Sequence, residues 1–219
     1  YGPGYEDVSA DVECARVVPV VRALVAANVR VSIDTTKPEV AEAALEAGAA
    51  IVNDTSCGGS DRLLDAVSAN GAELVLMHNR GRGEVDAANT DYGDVVRDVC
   101  DTLVRASAHA TSRGVDPSRI WLDPGLGFAK TAAQSLCVHA SLDRVVALGH
   151  PVLLGSSRKS FLAALAAEGS APGPLPEARL GATIASALFG ARTGVRGVRV
   201  HDVFEVAQAL RVAHALDAA

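Results

Sequence analysis

The chain has 219 residues and a formal net charge of −6; 49% of its residues are hydrophobic and only 4% are aromatic. That length carries one sizeable core, and the acidic balance without a basic block argues against nucleic acid as a partner, so an anionic substrate must be met by local cations. No signal peptide or membrane-length apolar run is read in it, and no membrane partner is expected.

Tyr1-Gly2-Pro3-Gly4 opens the chain without an initiator Met, so preceding residues are expected. Ser9 can cap a first helix, on which Cys14, Val17, Val18, Val21, Leu24 and Val25 share one apolar face. Val31–Thr35 reads as a short strand carrying Asp34, and Pro38 opens the next helix, where its missing N–H costs nothing. Ala50–Asp54 is a second strand, 61–70 a helix and Leu74–His78 a third strand. A polar loop spans Asn79–Asp91. A long helix follows, with Val96, Val99, Leu103, Ala106 and Ala110 on one face and Gly114 as its C-cap. The fourth strand, from Ile120, ends on Asp123 and runs into Pro124-Gly125-Leu126-Gly127-Phe128-Ala129-Lys130-Thr131. A helix over 132–148 and a strand over 151–155 come next. Ser156-Ser157-Arg158-Lys159-Ser160 then leads into a helical piece over 161–167. Residues 168–176 form a Gly/Pro-rich loop, and another helical piece covers 177–191. A sixth strand over 197–202 precedes a last helix over 203–216.

Repeated β-α alternation means parallel strands with right-handed crossovers. An open doubly wound sheet and a (β/α)8 barrel both fit. Six strands are two short of a barrel, and a chain opening on a helix is what remains when the first two strands and their loops are absent from the 219 residues. No composition break marks a second domain, so residues 1–219 read as one domain. Cys14, Cys57, Cys100 and Cys137 are far apart and form no C-x-x-C pair, which favours reduced thiols over disulfides or zinc ligands.

Chemistry-bearing residues collect at the strand ends: Asp34, Asn53, His78, Asp123, Lys159, Arg199 and His201. The carboxyl-end face is where α/β enzymes hold their sites. Acids beside an Asn make in-plane hydrogen bonds of the kind an amino-pyrimidinone edge offers. The cations of the last two strands suit an anion, and Arg199 and His201, two apart on a strand, point the same way. Bland readings exist for each: Asp34 as a helix cap, Asn53-Asp54 as a turn, Met77 as core, His78 as a satisfied structural histidine, Lys159 as a solvated lysine at a helix start. His109, His139, His150 and His214 read as plain surface residues. No pattern indicates a tightly held catalytic metal.

Taken together, Ser32-Ile33-Asp34-Thr35, Val52-Asn53-Asp54, Leu76-Met77-His78, the 123–131 stretch, Ser157-Arg158-Lys159 and Arg199-Val200-His201-Asp202 resemble the dihydropteroate synthase family of pterin-binding enzymes. Each motif is weak alone; six in the family's order are strong. The resemblance covers essentially the whole chain. It implies a (β/α)8 TIM barrel and a cytoplasmic, homodimeric transferase of folate biosynthesis, of the class sulfonamides target. The implied reaction joins p-aminobenzoate to 6-hydroxymethyl-7,8-dihydropterin diphosphate and releases pyrophosphate, with Mg2+ as cofactor and an SN1-like course.

By the same resemblance, Asp34, Asn53 and Asp123 bond the pterin ring and Lys159 reaches its oxygen and nitrogen side, with Lys159, Asp34 and Asp123 as the catalytic set. Met77, Phe128 and Gly155 line the pterin slot. Arg199, His201 and Asn53 hold the diphosphate, and Ser160 lies near p-aminobenzoate. The family's Asn-bearing loop of strand one, which meets Mg2+, is not in the 219 residues, so no metal ligand is assigned. Of its Ser-Thr-Arg-Pro-Gly loop only Pro3-Gly4 matches, after Tyr1-Gly2. Ser135 stands where many members have Asn and reads as peripheral. A methyltetrahydrofolate methyltransferase would share the acids but has no use for the diphosphate cations. A non-catalytic paralogue that binds pterin would explain a missing loop but not the intact Lys159, Arg199 and His201. A phosphate-binding barrel isomerase would not bind a pterin.

Overall fold

The computed structural model describes residues 8–80, 89–167 and 173–219. The Pro3-Gly4 match and parts of the two expected loops, 81–88 and 168–172, lie outside the described residues. The described residues divide into two compact units, one of 8–80 with Thr102–Leu122, the other of 89–101, 123–167 and 173–219.

In the first unit, β1 (Ser32–Asp34), β2 (Ile51–Asp54), β3 (Glu73–Met77) and β4 (Ile120–Asp123, whose last residue belongs to the second unit) lie side by side in chain order. β1 and β2 are parallel with Asp34 opposite Asn53, and β2 and β3 are parallel with Asn53 opposite Val75. Helix α1 (Ala10–Ala26) precedes β1, and α2 (Pro38–Glu46) and α3 (Asp61–Asn70) intervene between the strands, α1 packing on α2 and α2 on α3. Their starts follow the expected chemistry. Ser9 Oγ accepts from the Val12 N–H, Pro38 occupies the first turn of α2, and Ser60 Oγ accepts from the Leu63 N–H. Leu63, Leu64, Leu74, Leu76, Leu103, Ile120 and Leu122 are fully buried and form the core. The apolar face of α1 is thinner than its spacing predicts: Val21 is its one buried residue and Leu24 is exposed. The end of α2 approaches α1 closely. Gly48 sits at φ +102°, and a Cβ there would lie 2.9 Å from Val25 Cγ1, so both backbone and space require glycine.

Helix α4 (Val95–Ser112) buries all five residues of its predicted face. Gly114, at φ +91°, follows its end, and the Val115 N–H returns to the Ala110 carbonyl at 3.1 Å.

In the second unit, β5 (Leu153–Leu154) and β6 (Gly197–Val198) are parallel, and α5 (Ala132–Ala140), α6 (Leu142–Val146), α7 (Ser160–Ala166), α8 (Leu180–Arg192) and α9 (Val203–Asp217) complete it. α5 packs on α7, α7 on α8 and α8 on α9.

Several boundaries differ from the sequence reading. The helix expected over 132–148 breaks at Ser141 (φ −110°, ψ 29°), which ends α5 and begins α6. The second piece of helix expected from 177 begins at Leu180 after a 3-10 turn, Pro176–Ala178. Arg179 sets that start by donating to the carbonyls of Pro174 and Arg158 at 2.7 and 2.6 Å. Most consequential for the chemistry, β6 ends at Val198, so Arg199 and His201 are not strand neighbours. The Arg199 N–H still reaches the Leu154 carbonyl, but the His201 N–H is taken by the Ser157 hydroxyl instead of a ladder carbonyl.

Candidate active site

The first unit contributes two adjacent strand ends. Asn53 Nδ2 donates to Asp34 Oδ2 at 3.0 Å, across the β1–β2 register that sets them opposite each other. Asp34 is exposed and Asn53 is buried. Asp34 does not cap α2, whose N-cap is Lys37. Asn53 Oδ1 is buried and has no hydrogen-bond partner among the described residues. A buried amide oxygen left so is costly unless something supplies a donor. The turn reading fits Asp54 instead: its carboxylate accepts from the Ser56 and Gly58 N–H groups at 2.8 and 2.7 Å. Met77 and His78 are buried at the end of β3.

The second unit contributes a carboxylate and an ammonium set into a carbonyl-rich loop. Asp123 is buried, and its Oδ1 accepts from the Gly125 N–H at 2.7 Å. Burial pushes its carboxyl pKa up, against the opposing pull of Lys159 first, then of the Gly125 N–H bond, Lys130 and Arg199. Burial also brings the Lys159 ammonium down to about 8; Asp123 opposes that shift and Arg199 adds to it. Two oppositely charged groups are thus both drawn toward neutrality by desolvation.

Residues 125–130 hold these groups. Gly125, Gly127 and Ala129 all have positive φ, of 64°, 78° and 46°, and this backbone presents its carbonyls to cations. Lys130, itself buried, donates to the carbonyls of Gly125 and Phe128 at 3.0 and 3.1 Å. Lys159 Nζ donates to the Leu126 carbonyl and lies 4.5 Å over the Phe128 ring. The Tyr92 hydroxyl donates to the Ala129 carbonyl at 2.9 Å. Gly155 lies beside this carboxylate: a Cβ there would stand 3.5 Å from Asp123 Oδ2, an ordinary van der Waals contact. Lys159 does stand at the start of α7, but it is not the solvated lysine of the bland reading. Ser160 is exposed one residue further on.

Two loops of this unit are tied together. Ser157 Oγ lies 2.9 Å from His201 Nδ1. The Arg158 guanidinium grips Asp202 by two bonds, of 3.1 and 2.5 Å, which holds the Asp202 carboxyl below the usual carboxylate range.

Sequence reasoning missed part of this support. Ser135 is not peripheral: it is fully buried and its Oγ accepts from the Gly127 N–H at 3.1 Å. Lys130 and the Arg158–Asp202 pair were visible only as letters inside motifs. His139 is no surface residue either. It is buried, bonded to Ser186 Oγ at 2.7 Å and stacked on Phe189, and burial lowers its pKa. An amphipathic pattern places it on α5 but does not say which of its faces α7 and α8 cover. The four cysteines are free.

Each unit thus offers polar groups at the ends of parallel strands, Asp34 with Asn53 in the first and Asp123, Lys159 and the Arg199–His201 loop in the second, as α/β enzymes do. A family model described as pterin binding enzyme matches residues 1–201. Over 214 residues the chain is 42% identical to the dihydropteroate synthase of Mycobacterium leprae, covering 96% of this chain and 75% of that protein. The dihydropteroate synthase of Xanthomonas albilineans, solved with 4-aminobenzoic acid, aligns with TM-score 0.90 at 38% identity over 99% of this chain and 76% of that one. The same enzyme solved with 7,8-dihydropteroate aligns with TM-score 0.89, also at 38% identity, over 99% and 78%. The chain belongs to the pterin-binding enzyme family and, within it, to the dihydropteroate synthases, which are transferases of folate biosynthesis. Its fold class is accordingly the α/β TIM barrel that the family resemblance implies, one of the two architectures the β-α alternation allows.

Proposed function

We propose that this chain joins p-aminobenzoate to 6-hydroxymethyl-7,8-dihydropterin diphosphate, forming 7,8-dihydropteroate and releasing pyrophosphate. The observation that carries the reading is the buried, unpartnered Oδ1 of Asn53 beside the Asp34 carboxylate. These two acceptors call for a ligand edge that presents N–H donors, and the amino-pyrimidinone edge of a pterin is one. Asp34, Asn53 and Asp123 bond the ring, Lys159 meets its oxygen and nitrogen side, and Met77, Phe128 and Gly155 line the slot. Arg199 and His201, with Asn53, take the diphosphate, and Ser160 lies toward p-aminobenzoate. The whole chain acts as one pterin-binding domain.

The chemistry follows from charge. Breaking the C–O bond to the diphosphate leaves positive charge beside the ring, which Asp34 and Asp123 stabilise while Arg199 and His201 receive the departing anion. An aryl amine is a weak nucleophile, so an ionised, SN1-like electrophile suits it. Mg2+ would neutralise the diphosphate further. Among the described residues no three His, Cys, Asp or Glu side chains gather into a metal cage. The diphosphate would supply oxygens to the ion, as is common for Mg2+, and the Asn-bearing loop that meets it in the family is not in the 219 residues.

A homodimer through the last helices is the proposed assembly. In support, Val203, Phe204, Val212 and Leu216 of α9 are exposed, and an apolar hollow of about 360 Å3 lies among Leu136, Phe161, Leu165 and Phe189. Cytoplasmic residence is proposed on the four free thiols, which suit a reducing compartment. No helix among the described residues is long and apolar enough to cross a membrane.

The test is pyrophosphate release from pterin diphosphate and Mg2+, with and without p-aminobenzoate. Release that needs p-aminobenzoate and is lost in Lys159→Ala or Arg199→Ala is the expected result, with a sulfonamide competing against p-aminobenzoate. Tight pterin binding without such release would replace this reading with a non-catalytic paralogue. Failure to bind pterin would overturn it.

A further inference from the structure

We infer that Ser157 is a positioning residue that fixes His201 as its Nε2–H tautomer, so that a neutral imidazole offers a donor to an anionic phosphate. The role given to the phosphate rests on the function proposed above; the tautomer assignment does not.

The assignment is a matter of counting protons. Ser157 is buried. Its Oγ accepts from the His201 backbone N–H at 3.2 Å and lies 2.9 Å from His201 Nδ1. A hydroxyl has a single proton to donate and two lone pairs to accept with. Among the described residues Nδ1 is the one acceptor within reach of that proton. If Nδ1 carried a hydrogen, the Ser157 proton would be buried without a partner, the expensive arrangement. The Ser157 proton therefore goes to Nδ1, and the ring hydrogen goes to Nε2. The partner on one ring nitrogen fixes what the other can do.

The geometry is braced. Arg158 and Asp202, the residues immediately after Ser157 and His201, form their own two-bond ion pair between the same two loops. The ring is thus held at both its backbone and its Nδ1 edge, while the His201 residue stays exposed. Nε2 has no partner among the described residues, and its N–H is available without a proton being taken up. The Nε2–H of His201 can then bond a phosphate oxygen, with Arg199 supplying charge.

Nitrogen-15 NMR of the labelled chain, with the ring assigned through His201→Gln, reads the tautomer directly. At about pH 8, above the ordinary histidine range, wild type is expected to show Nδ1 as a bare acceptor and Nε2 as protonated. Ser157→Ala should give a mixture of tautomers, and Ser157→Thr, which keeps the hydroxyl, should restore the single form. Inorganic pyrophosphate is the probe of consequence. It should shift the His201 Nε2 signal in wild type and bind about tenfold more weakly to Ser157→Ala, the loss expected when one hydrogen bond to a charged group is compromised. An Nδ1–H tautomer in wild type, or a tautomer unchanged in Ser157→Ala, would overturn the inference. Because the wild-type spectrum decides the first point, a variant that fails to fold cannot rescue it. The Nε2–H tautomer with no response to pyrophosphate would instead overturn the diphosphate role proposed above.

Discussion

Lys159→Met should make the ligand-free protein more stable at neutral pH while abolishing turnover. The argument starts from the lysine's setting. Its stem packs near Gly127, its ammonium lies over Phe128 and donates to the Leu126 carbonyl, and burial lowers its pKa from 10.5 to about 8. The sign is opposite to that of a lysine stabilised by a partner. Below pH 8 the group is protonated in both folded and unfolded chains, and the folded state carries the cost of a desolvated charge. Between about 8 and 10.5 the folded chain releases the proton while the unfolded chain keeps it, so stability from this group rises with pH. At about 1.4 kcal/mol per pH unit the full cost is roughly 3 kcal/mol. Because the residue as a whole is only half-buried, the figure is discounted to about 2 kcal/mol.

Methionine keeps the apolar stem and removes the charge. Urea melts of both proteins from pH 7 to 10.5 should therefore show the variant ahead by about 2 kcal/mol at pH 7, with the gap closing as pH passes 8. A gap that is constant across the window would mean that Lys159 titrates like a free lysine, and the desolvation argument would be refuted. The same titration predicts that pterin affinity falls above pH 8 if the charged form is the one that binds, which calorimetry across that range would show.

Ser135→Ala should cost about 1–3 kcal/mol, because it leaves the Gly127 N–H without its buried acceptor. A denaturant melt measures this, and a parallel loss of pterin affinity would follow from the loosened 125–130 loop. Gly190→Ala places a Cβ 2.7 Å from Leu154 Cδ2, so about 1–3 kcal/mol of overpacking should appear as a lowered thermal midpoint. Asp202→Asn removes a carboxylate whose pKa Arg158 depresses. The stability this group contributes is present above the ordinary aspartate range and is lost as pH falls through the depressed folded value. Wild type and variant should therefore converge on acidification, as read by melts at successive pH values.

The order of elements was legible in the sequence because it is a local property. Short, mostly apolar segments ending on Asp34, Asn53 and Asp123 announce parallel strands, and Ser9, Pro38 and Gly114 mark helix ends by capping chemistry that acts within one turn. The identity of the strand-end residues was legible for the same reason, since a residue's place at the end of a run needs no partner to define it. Which groups meet was not legible, because partners lie far apart in the chain: Asn53 with Asp34, Ser157 with His201 across 44 residues, Lys159 with the Leu126 carbonyl across 33. Strand length depends on the partner as well. β6 stops at Val198 because the next available backbone donor is captured by a serine hydroxyl and not by another ladder carbonyl. Burial of polar groups was the least legible of all. Ser135 and His139 look like solvent-facing residues on a helix, and only the packing of other segments over them turns a hydroxyl and an imidazole into buried, bonded groups. The sequence alone therefore determined a β-α alternation with acids, an amide and cations at its strand ends. The tertiary structure decided their protonation, their partners and their orientation, because desolvation and hydrogen bonding are set by what surrounds a group in space and not by its neighbours in the chain.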